Sequence, residues 1–425
     1  MVDALLRTRV PRWESLNLAI DERDDMLDYA IKLFDHDRDR AVANYFLNAL
    51  EQFALVRHIA RWRGPVRRML DFASGYGRLT RLLVHEHLAD EITVSDILPG
   101  GMEFQAEQFG VRTILSAPQP EGFAAEGKFD LIFVASLFTH LPPSTFTPWL
   151  RRLAELLTPE GLLIFSVHDE SLAPKAVDGI WFDLSSESRV LDLEEYGSTY
   201  VTEQYVREQV AAIGEHFACV RLPRALADWQ DVYVISPSPI ADPRPRRTPK
   251  GFVDQFLVDD EGVRVSGWAT LVDEQAERVE LRLDDELAGI ATRFAPRPDV
   301  AAWLRAESAM VSGWEIVVPH ASVRSFRYQV ATVSAFSREN EERILFHGTL
   351  DSLNGHVARE KVKDLQHQLV VRENEIARLG ERVDATEAQR RALEQQMAAM
   401  RQSRFWKARD QWFAIKRSVG LTDEL

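Results

Sequence analysis

The stretch Met69-Leu70-Asp71-Phe72-Ala73-Ser74-Gly75-Tyr76-Gly77-Arg78 (residues 69–78) decides the fold of the first half of the chain. Its apolar start predicts a buried strand, and a carboxylate, Asp71, stands near the strand's end. The small residues 73–77 predict a tight turn that opens a helix, because a ligand that lies against turn backbone leaves no room for a Cβ atom. The stretch therefore predicts a ligand site at the end of a strand.

The charge of Asp71 separates two kinds of ligand. A dinucleotide fingerprint needs a third glycine where this chain has Thr80, and a carboxylate repels a pyrophosphate. S-adenosylmethionine instead carries a sulfonium and an ammonium group, which a carboxylate attracts. About 25 residues after Asp71, a second strand ends in Asp96, where a carboxylate can bind the hydroxyls of a ribose. The pattern favours S-adenosylmethionine, and the alternative is that both aspartates cap helices.

The residues around this stretch predict an α/β domain. Short apolar strands separated by helical lengths indicate crossover connections and a mainly parallel sheet. A last pair of strands has no helix between its members and predicts an antiparallel hairpin at the end of the sheet. The seven predicted strands are residues 68–72, 91–95, 113–115, 131–135, 162–167, 218–222 and 232–236.

Composition divides the remaining chain into further parts. Residues 1–64 predict a helical cap, 65–236 the α/β domain and 237–250 a proline-rich linker, and alternating apolar residues in 251–350 predict a small β-sandwich. In this sandwich Trp268 and Trp314 are expected in the core rather than in a ligand platform.

A seven-residue repeat runs through 357–403. One heptad position holds Val362, Leu369, Ile376, Val383 and Met397, and the other holds Leu365, Leu379, Leu393 and Met400. β-branched residues at the first position and leucine at the second favour a long coiled-coil helix in a parallel dimer. The alternative is that this seam packs on the chain's own surface.

The last part of the chain, 404–425, predicts a basic amphipathic helix. Its apolar stripe is flanked by basic residues and consists of Phe405, Ala408, Trp412, Ile415 and Val419. Such a helix suits an anionic membrane surface, and docking on a partner protein or on the chain itself is the equal alternative.

Composition excludes several classes of protein. The formal net charge of −15 argues against general nucleic-acid binding, and the single cysteine, Cys219, excludes an intrachain disulfide. No signal-peptide pattern and no apolar run of about 18 residues occur, so the expected location is the cytoplasm, with possible peripheral contact at the inner face of the cell membrane through the tail.

Three longer motifs resemble the class I methyltransferase family, whose fold is Rossmann-like, and especially a bacterial subgroup associated with surface polysaccharides. They are Leu-Asp-Phe-x-x-Gly-Tyr-Gly-Arg-Leu-Thr-Arg (70–81), Phe-Asp-Leu-Ile-Phe-Val-Ala-Ser-Leu-Phe-Thr-His-Leu (129–141) and Leu-Thr-Pro-Glu-Gly-Leu-Leu-Ile-Phe-Ser-Val-His (157–168). The resemblance covers residues of about 45–236. Ala73 departs from it, because the family usually has glycine there.

The resemblance implies roles for individual residues. The methionine part of the cofactor would contact Asp71, Ala73, Gly75 and Gly77. Asp96 would bind the ribose and Ile97 the adenine, with Ser116 and Ala117 at the adenine edge. The floor under the sulfonium would consist of Ala135, Ser136 and Leu137. An early helix with Tyr45 and Phe46 would close over the cofactor.

A hydroxyl acceptor also needs a base, because it must lose a proton. The candidates are His168, at the end of the fifth strand, and His140, with Asp169, Glu170 and Tyr200 nearby. The alternative for His140 is a structural role at a helix end. His168 and Asp169 make only a weak metal site, so no metal is expected.

Three functions are consistent with these parts. The first is methyl transfer to a hydroxyl of a bacterial surface glycan or its precursor, with a glycan-assembly enzyme as a further partner. The second is a small-molecule O- or N-methyltransferase, and the third is a coiled-coil scaffold whose domain binds the cofactor without turnover.

Overall fold

The computed structural model describes residues 1–418 apart from 169–171, 173–178, 186–191, 228, 242, 245, 272 and 403. Asp169, Glu170 and Val419, named above as candidates, lie outside the described residues. The chain forms two compact units, Met1–His367 and Gln368–Leu425.

Three helices precede the first strand: α1 (Val2–Arg7), α2 (Asp25–Leu33) and α3 (Arg38–Arg63). α3 begins where the side chain of Asp37 accepts a hydrogen bond from the amide of Arg40, 3.1 Å away, which is an N-cap. It ends at Gly64, whose φ of +105° favours glycine, just before a proline that cannot continue a helix.

A nine-stranded mixed sheet follows. Its strands are β1 (Arg68–Phe72), β2 (Glu91–Asp96), β3 (Arg112–Leu115), β4 (Phe129–Val134), β5 (Leu157–His168), β6 (Ile180–Asp183), β7 (Ser198–Val201), β8 (Ala218–Leu226) and β9 (Gln230–Ser236). The order β3-β2-β1-β4-β5 is parallel, as in a Rossmann fold, and the antiparallel β9 joins β8 to the edge of β5. The crossover helices are α4 (Thr80–His85), α5 (Pro99–Phe109) and α6 (Pro143–Ala154), and α7 (Glu203–Ile213) precedes β8.

The predicted count of seven strands is wrong, because the described sheet has nine, with five parallel pairings and three antiparallel ones. The structure adds an antiparallel pair, β6 and β7, and β7 meets the carboxyl end of β5 where His168 pairs with Tyr200. Each added strand has four residues, which is too short to show a period of two. Their pairing depends on contacts with β5 rather than on local sequence.

Helices cover both faces of the sheet with separate apolar cores. On one face α3 and α1 pack against side chains such as Met69 and Ile164. On the other face α6 and α7 pack against side chains such as Phe72 and Phe165. With both faces buried, a ligand of such a sheet is expected where the parallel strands end.

Arg81, in α4, joins the N-terminal segment to the sheet. Its side chain is almost fully buried and donates hydrogen bonds to the carbonyl oxygens of Asn17 (3.2 Å) and Ala19 (2.9 Å). Its guanidinium also lies 5.4 Å from the ring centre of Tyr45, whose hydroxyl donates to Asp24 at 2.7 Å. Burial lowers the pKa of Arg81, and the opposing charge of Asp24 favours its charged form. The segment before α2 is thereby fixed beside the turn after β1.

Two four-stranded sheets follow the proline-rich residues. Their elements are β10 (Lys250–Asp259), β11 (Gly262–Thr270), β12 (Arg278–Leu283), β13 (Glu286–Ala291), β14 (Ala295–Pro296), α8 (Pro298–Leu304), β15 (Val311–Val318), β16 (Val330–Phe336) and β17 (Glu342–Thr349). The sheets β10-β11-β15-β14 and β13-β12-β16-β17 share one apolar core that includes Trp314, and Trp268 is buried in a smaller cluster beside it.

Ion pairs connect this pair of sheets to the first domain. Arg9 contacts Glu342 at 2.5 Å, and Arg343 contacts Glu51, in α3, at 3.2 Å. The Arg9 and Glu342 side chains are largely buried, so their contact is screened less than a surface pair.

The chain ends in two helices, α9 (Leu350–Gln402) and α10 (Arg404–Ser418). Within the second unit, the heptad side chains from Leu369 onward are exposed in the single chain. The long helix is present, and the coiled coil stays a prediction. No helix in the described part of the chain is long and apolar enough to cross a membrane.

Candidate active site

The turn after β1 has a backbone that favours glycine at three places. Its φ angles are +58° at Ala73, +56° at Gly75 and +77° at Gly77. At Gly77 a Cβ atom would stand 2.6 Å from the ring of Phe109, so both the backbone angle and the space require glycine there. Ala73 adopts this left-handed conformation with a side chain, at a cost of about 1–2 kcal/mol.

Asp71 is a buried carboxylate at the end of β1. The hydroxyl of Thr80, at the start of α4, donates to its Oδ2 at 2.9 Å, and among the described residues no cation pairs with it. Burial raises the pKa of Asp71 to about 7, and the nearby charge of Asp96 adds to the rise, against the hydrogen bond from Thr80. An ionised Asp71 therefore lacks the positive charge that a buried carboxylate needs.

Asp96, at the end of β2, fixes the turn. Its Oδ2 accepts a hydrogen bond from the amide of Gly75 at 2.8 Å, and its Oδ1 accepts from the amide of Leu98 at 3.0 Å. Burial raises the pKa of Asp96, against these amide hydrogen bonds. The structure thus places both predicted carboxylates beside the same turn.

The other predicted cofactor contacts follow neighbouring strands and are half-buried. Ile97 follows β2, Ser116 and Ala117 follow β3, and Ala135, Ser136 and Leu137 follow β4. The amide of Ser116 donates to the carbonyl of Asp96 at 2.8 Å. Because parallel strands end at one edge, these residues lie along the carboxyl edge of the sheet with the turn.

Tyr45 and Phe46 do not line this edge. Both are buried in the core between α3 and the sheet, and Tyr45 contacts Arg81 there. The expectation that they close over the cofactor is wrong, because their rings fill the core behind the turn.

Gln105 and Gln230 belong to the edge and were not predicted. Gln105, in α5, donates to the carbonyl of Gly75 at 2.9 Å and to Ser74 at 2.8 Å. Gln230, the first residue of β9, donates to the hydroxyl of Ser136 at 2.9 Å. Both bond to residues that are far away in the sequence, so no local motif predicts them.

The two histidines have different surroundings. Nδ1 of His140 lies 2.7 Å from the carbonyl oxygen of Gly197, and its ring stacks on Tyr196 at 4.3 Å. Burial lowers the pKa of His140. The backbone also pairs here, from Gly197 to His140 and from Thr199 to Thr139. His140 therefore holds the segment that leads into β7.

His168, the last residue of β5, is half-buried and pairs in register with Gln230 of β9. Its Nδ1 lies 2.7 Å from the carbonyl oxygen of Thr199. A carbonyl oxygen only accepts, so in the neutral ring Nδ1 carries the proton and Nε2 keeps its lone pair. His168 thus has the form of a base beside the residues that follow β4.

Three rings stack across neighbouring strands at the same place. Tyr200, in β7, lies between His168 (4.6 Å between ring centres) and Trp181 of β6 (5.0 Å). All three side chains are half-buried. The strands β6 and β7, which the sequence did not predict, thus bring two aromatic rings to the end of β5.

These residues fit a cationic nucleoside. Asp71 and Asp96 are buried carboxylates beside a turn that has open space at Gly75, and carboxylates attract the ammonium and sulfonium groups of S-adenosylmethionine. When bound, that cofactor supplies an activated methyl group. No group of three or more His, Cys, Asp or Glu residues within the described ranges is placed to hold a metal.

Known proteins match the same region. Residues 70–163 match the family model described as a methyltransferase domain. No curated protein matches the chain at a significant level. This part of the chain is a methyltransferase domain. The prediction of a methyltransferase that uses S-adenosylmethionine is thereby confirmed for this domain, which is about a fifth of the chain.

Solved structures of methyltransferases are similar to the chain at low identity. One is a Burkholderia thailandensis 1,6-didemethyltoxoflavin-N1-methyltransferase (21% identity, 50% of this chain and 86% of that one, TM-score 0.34). Another is the N-methyltransferase NodS from Bradyrhizobium japonicum WM9 with S-adenosylhomocysteine (16% identity, 50% and 96%, TM-score 0.32).

Replacing Ala73 with glycine is expected to stabilise the domain. Glycine adopts a φ of +58° without the strain of a Cβ atom, so we expect Ala73→Gly to raise the free energy of unfolding by about 1 kcal/mol in urea denaturation. Ala106→Gly, at an exposed position inside helix α5, is the matched control and should lower the free energy of unfolding by about 1 kcal/mol. A loss of stability in both variants would contradict the strain at Ala73.

Asp71 is expected to make the cofactor-free protein less stable as pH rises. The unfolded carboxyl loses its proton near pH 3.8, whereas the folded one keeps it until about pH 7. The folded state therefore binds more protons between these values, and this contribution to stability falls with rising pH. Urea denaturation from pH 4.5 to 7.5 should show a shallower fall for Asp71→Asn than for the wild type.

The exposed Asp90→Asn is the control for this measurement and should follow the wild-type pH profile. Identical profiles for wild type and Asp71→Asn would show that Asp71 ionises without a penalty.

Proposed function

We propose that the protein transfers the methyl group of S-adenosylmethionine to a hydroxyl group of a bacterial surface glycan or its precursor. The observation that carries the transfer reaction is Asp71, a buried carboxylate without a described cationic partner, beside a turn where a Cβ atom at Gly75 would meet no other atom within 4 Å. A cationic cofactor supplies the missing positive charge. Asp96 stands at the next strand end, and its carboxylate is already oriented by two amides.

His168 is the base in this proposal. As the hydroxyl oxygen bonds to the methyl carbon, the bond from that carbon to the sulfonium sulfur would break and S-adenosylhomocysteine would leave, while His168 would accept the proton of the hydroxyl. The hydrogen bond from Nδ1 to Thr199 fixes the ring and its tautomer. Ser136, which follows β4, bonds to Gln230, and Gln230 pairs in register with His168, so the proposed base is connected to the residues that follow β4.

His140 has a positioning role instead. Its Nδ1 is bonded to the carbonyl of Gly197, and its ring is stacked and buried. Its effect on the reaction is transmitted through β7, which carries Tyr200.

The stacked rings support a sugar as the acceptor. Trp181 lies at the outer end of the stack that Tyr200 joins to His168, and a half-buried amphipathic ring suits a ligand that is apolar on its C–H face and polar at its rim. The glycan assignment rests on this surface and on the resemblance of the sequence motifs.

The proposal is tested by binding and then by methyl transfer. Calorimetric titration with S-adenosylmethionine and S-adenosylhomocysteine should show binding that is lost in Asp96→Ala. Methyl transfer to a panel of soluble oligosaccharides should then fall about 100-fold or more in His168→Ala, with the affinity for S-adenosylhomocysteine unchanged within twofold. His216→Ala, at an exposed histidine of the same domain, is the control and should retain activity.

Other outcomes point to the alternatives. Transfer to phenols or amines but to no sugar would replace the glycan with a small-molecule acceptor. Cofactor binding without transfer to any acceptor would favour the scaffold.

We also propose that two copies of the chain form a parallel coiled coil through α9. Its apolar heptad side chains, such as Ile376, Leu379 and Leu393, are exposed in the single chain. The seam is apolar except at Arg372, Thr386 and Arg390, and a helix with such a seam in water is stabilised by burying it against another helix. A glycan-assembly enzyme is a further partner in this proposal.

We further propose that the helix α10 binds a membrane surface. Its exposed Phe405, Trp412 and Ile415 accompany five basic residues and one acidic residue between Arg404 and Ser418. Aromatic residues with a basic excess suit the anionic inner face of the cell membrane.

The oligomeric state tests the coiled coil directly. We expect the full chain to have twice its monomer mass in light scattering after gel filtration, and Leu379→Glu with Leu393→Glu to have the monomer mass, because buried charges in the seam are unpaired. Ala377→Glu with Ala392→Glu adds the same charge to exposed positions off the seam and should remain dimeric. A monomeric wild type would contradict the proposal.

A further inference from the structure

Four side chains form one row across neighbouring strands of the first sheet. In the register of these strands, Trp181 of β6 pairs with Tyr200 of β7, and Tyr200 pairs with His168 of β5. On its other side His168 pairs with Gln230 of β9. Residues that pair in register point to the same face of a sheet, with Cβ atoms about 5 Å apart. Gln230 therefore continues the row of stacked rings beyond the histidine.

The row is aromatic at one end and polar at the other. Its four side chains are all half-buried, so each has one part in the protein and one part open to a ligand. The rings of Trp181 and Tyr200 stack at the aromatic end, and the carboxamide of Gln230 is the polar end. A sugar has the same asymmetry, because its C–H face is apolar and its rim carries hydroxyl groups.

Gln230 has hydrogen-bonding capacity that the described residues leave unused. Among them its side-chain amide bonds only to the hydroxyl of Ser136, with Nε2 at 2.9 Å and Oε1 at 3.1 Å. A carboxamide has two N–H donors and two lone pairs on its oxygen, and one hydroxyl does not occupy them all. At least one donor and one acceptor are left for a ligand. A hydroxyl group, which both donates and accepts, matches this pair.

Ser136 fixes the position of this amide. It follows β4 with a φ of +60°, a left-handed angle that costs energy for a residue other than glycine. Its amide N–H donates to the hydroxyl of Ser166, in β5, at 2.8 Å, and its carbonyl oxygen accepts a hydrogen bond from the hydroxyl of Thr139. The residue that anchors Gln230 is thus held through both of its peptide groups, so the amide is oriented before an acceptor binds.

We propose that Gln230 determines the acceptor: its amide binds a hydroxyl group on the ring carbon next to the one that is methylated. The methyl group passes from the sulfonium sulfur to the oxygen of the reacting hydroxyl, whose proton goes to His168. The acceptor is then a sugar with hydroxyl groups on neighbouring carbon atoms. This assignment rests on the proposed function, because it takes His168 as the base of a sugar methyltransferase.

Kinetics with matched acceptors test the assignment. The probes are the methyl glycosides of glucose, galactose, mannose and rhamnose, each with its monodeoxy analogues. For a glycoside that the wild type methylates, one analogue without a neighbouring hydroxyl should have a kcat/KM about 100-fold lower, because the amide then lacks its partner. In Gln230→Ala, kcat/KM should fall about 100-fold for the parent glycoside and stay within threefold of the wild-type value for that analogue.

Two further variants accompany this measurement. Gln230→Glu fills the same space without the N–H donors and should keep only part of the discrimination, so it serves as a second test if Gln230→Ala fails to fold. Gln204→Ala, at an exposed glutamine of α7, should discriminate as the wild type does. Thermal unfolding and titration with S-adenosylhomocysteine should show each variant folded, with an affinity within twofold of the wild type.

The ratio of the two kcat/KM values separates recognition from a structural role, because it is independent of the folded fraction. An equal loss for parent and analogue in Gln230→Ala, or no loss for either, overturns the role of Gln230 and leaves methyl transfer in place. A wild type that uses every monodeoxy analogue as well as the parent overturns it too. A folded wild type that methylates none of these glycosides also overturns the assignment, and the oligosaccharide panel then decides the proposed function separately.

Discussion

The site depends on one constraint: a carboxylate, Asp71, is buried at the end of β1, where a hydroxyl is its one side-chain partner among the residues that the structure describes. Burial makes its ionised form costly, which is why its pKa rises to about 7. The sheet holds this strand between β2 and β4, so the carboxylate cannot turn to solvent. A cation is the group that relieves the cost, and the turn leaves backbone beside the carboxylate for the ligand that brings it.

The turn is held by hydrogen bonds that outweigh the strain in its backbone. Asp96 accepts the amide of Gly75, and Gln105 donates to the carbonyl of the same residue, so the backbone is fixed from both sides. This double hold is what lets Ala73 remain at a φ of +58°, because the surrounding hydrogen bonds outweigh the strain of one residue. These hydrogen bonds therefore accommodate alanine at a position where the similar family usually has glycine.

Local patterns made much of the first domain predictable. The strand, turn and helix around Asp71 are adjacent in sequence, so their residue types alone indicate the turn and the sign of its charge. The hairpin of Trp181 and Tyr200 was missed because its strands are short and gain their order from pairing with the end of β5. Arg81 lay within the quoted motif, yet its bonds to Asn17 and Ala19 join segments about 60 residues apart, and no local period records such a contact.

The two halves of the site differ in how the chain encodes them. The cofactor side is built from one continuous turn and the strand end at Asp96, where almost any substitution meets buried charge or a restricted backbone angle. The side proposed for the acceptor holds the pair β6 and β7, and among the described residues the ring of Tyr200 stacks on His168, the last residue of β5. Under the proposed function, substitutions at Trp181 or Tyr200 alter the acceptor side and leave the hydrogen bond from Thr80 to Asp71 in place, so the acceptor can vary while the methyl donor stays the same.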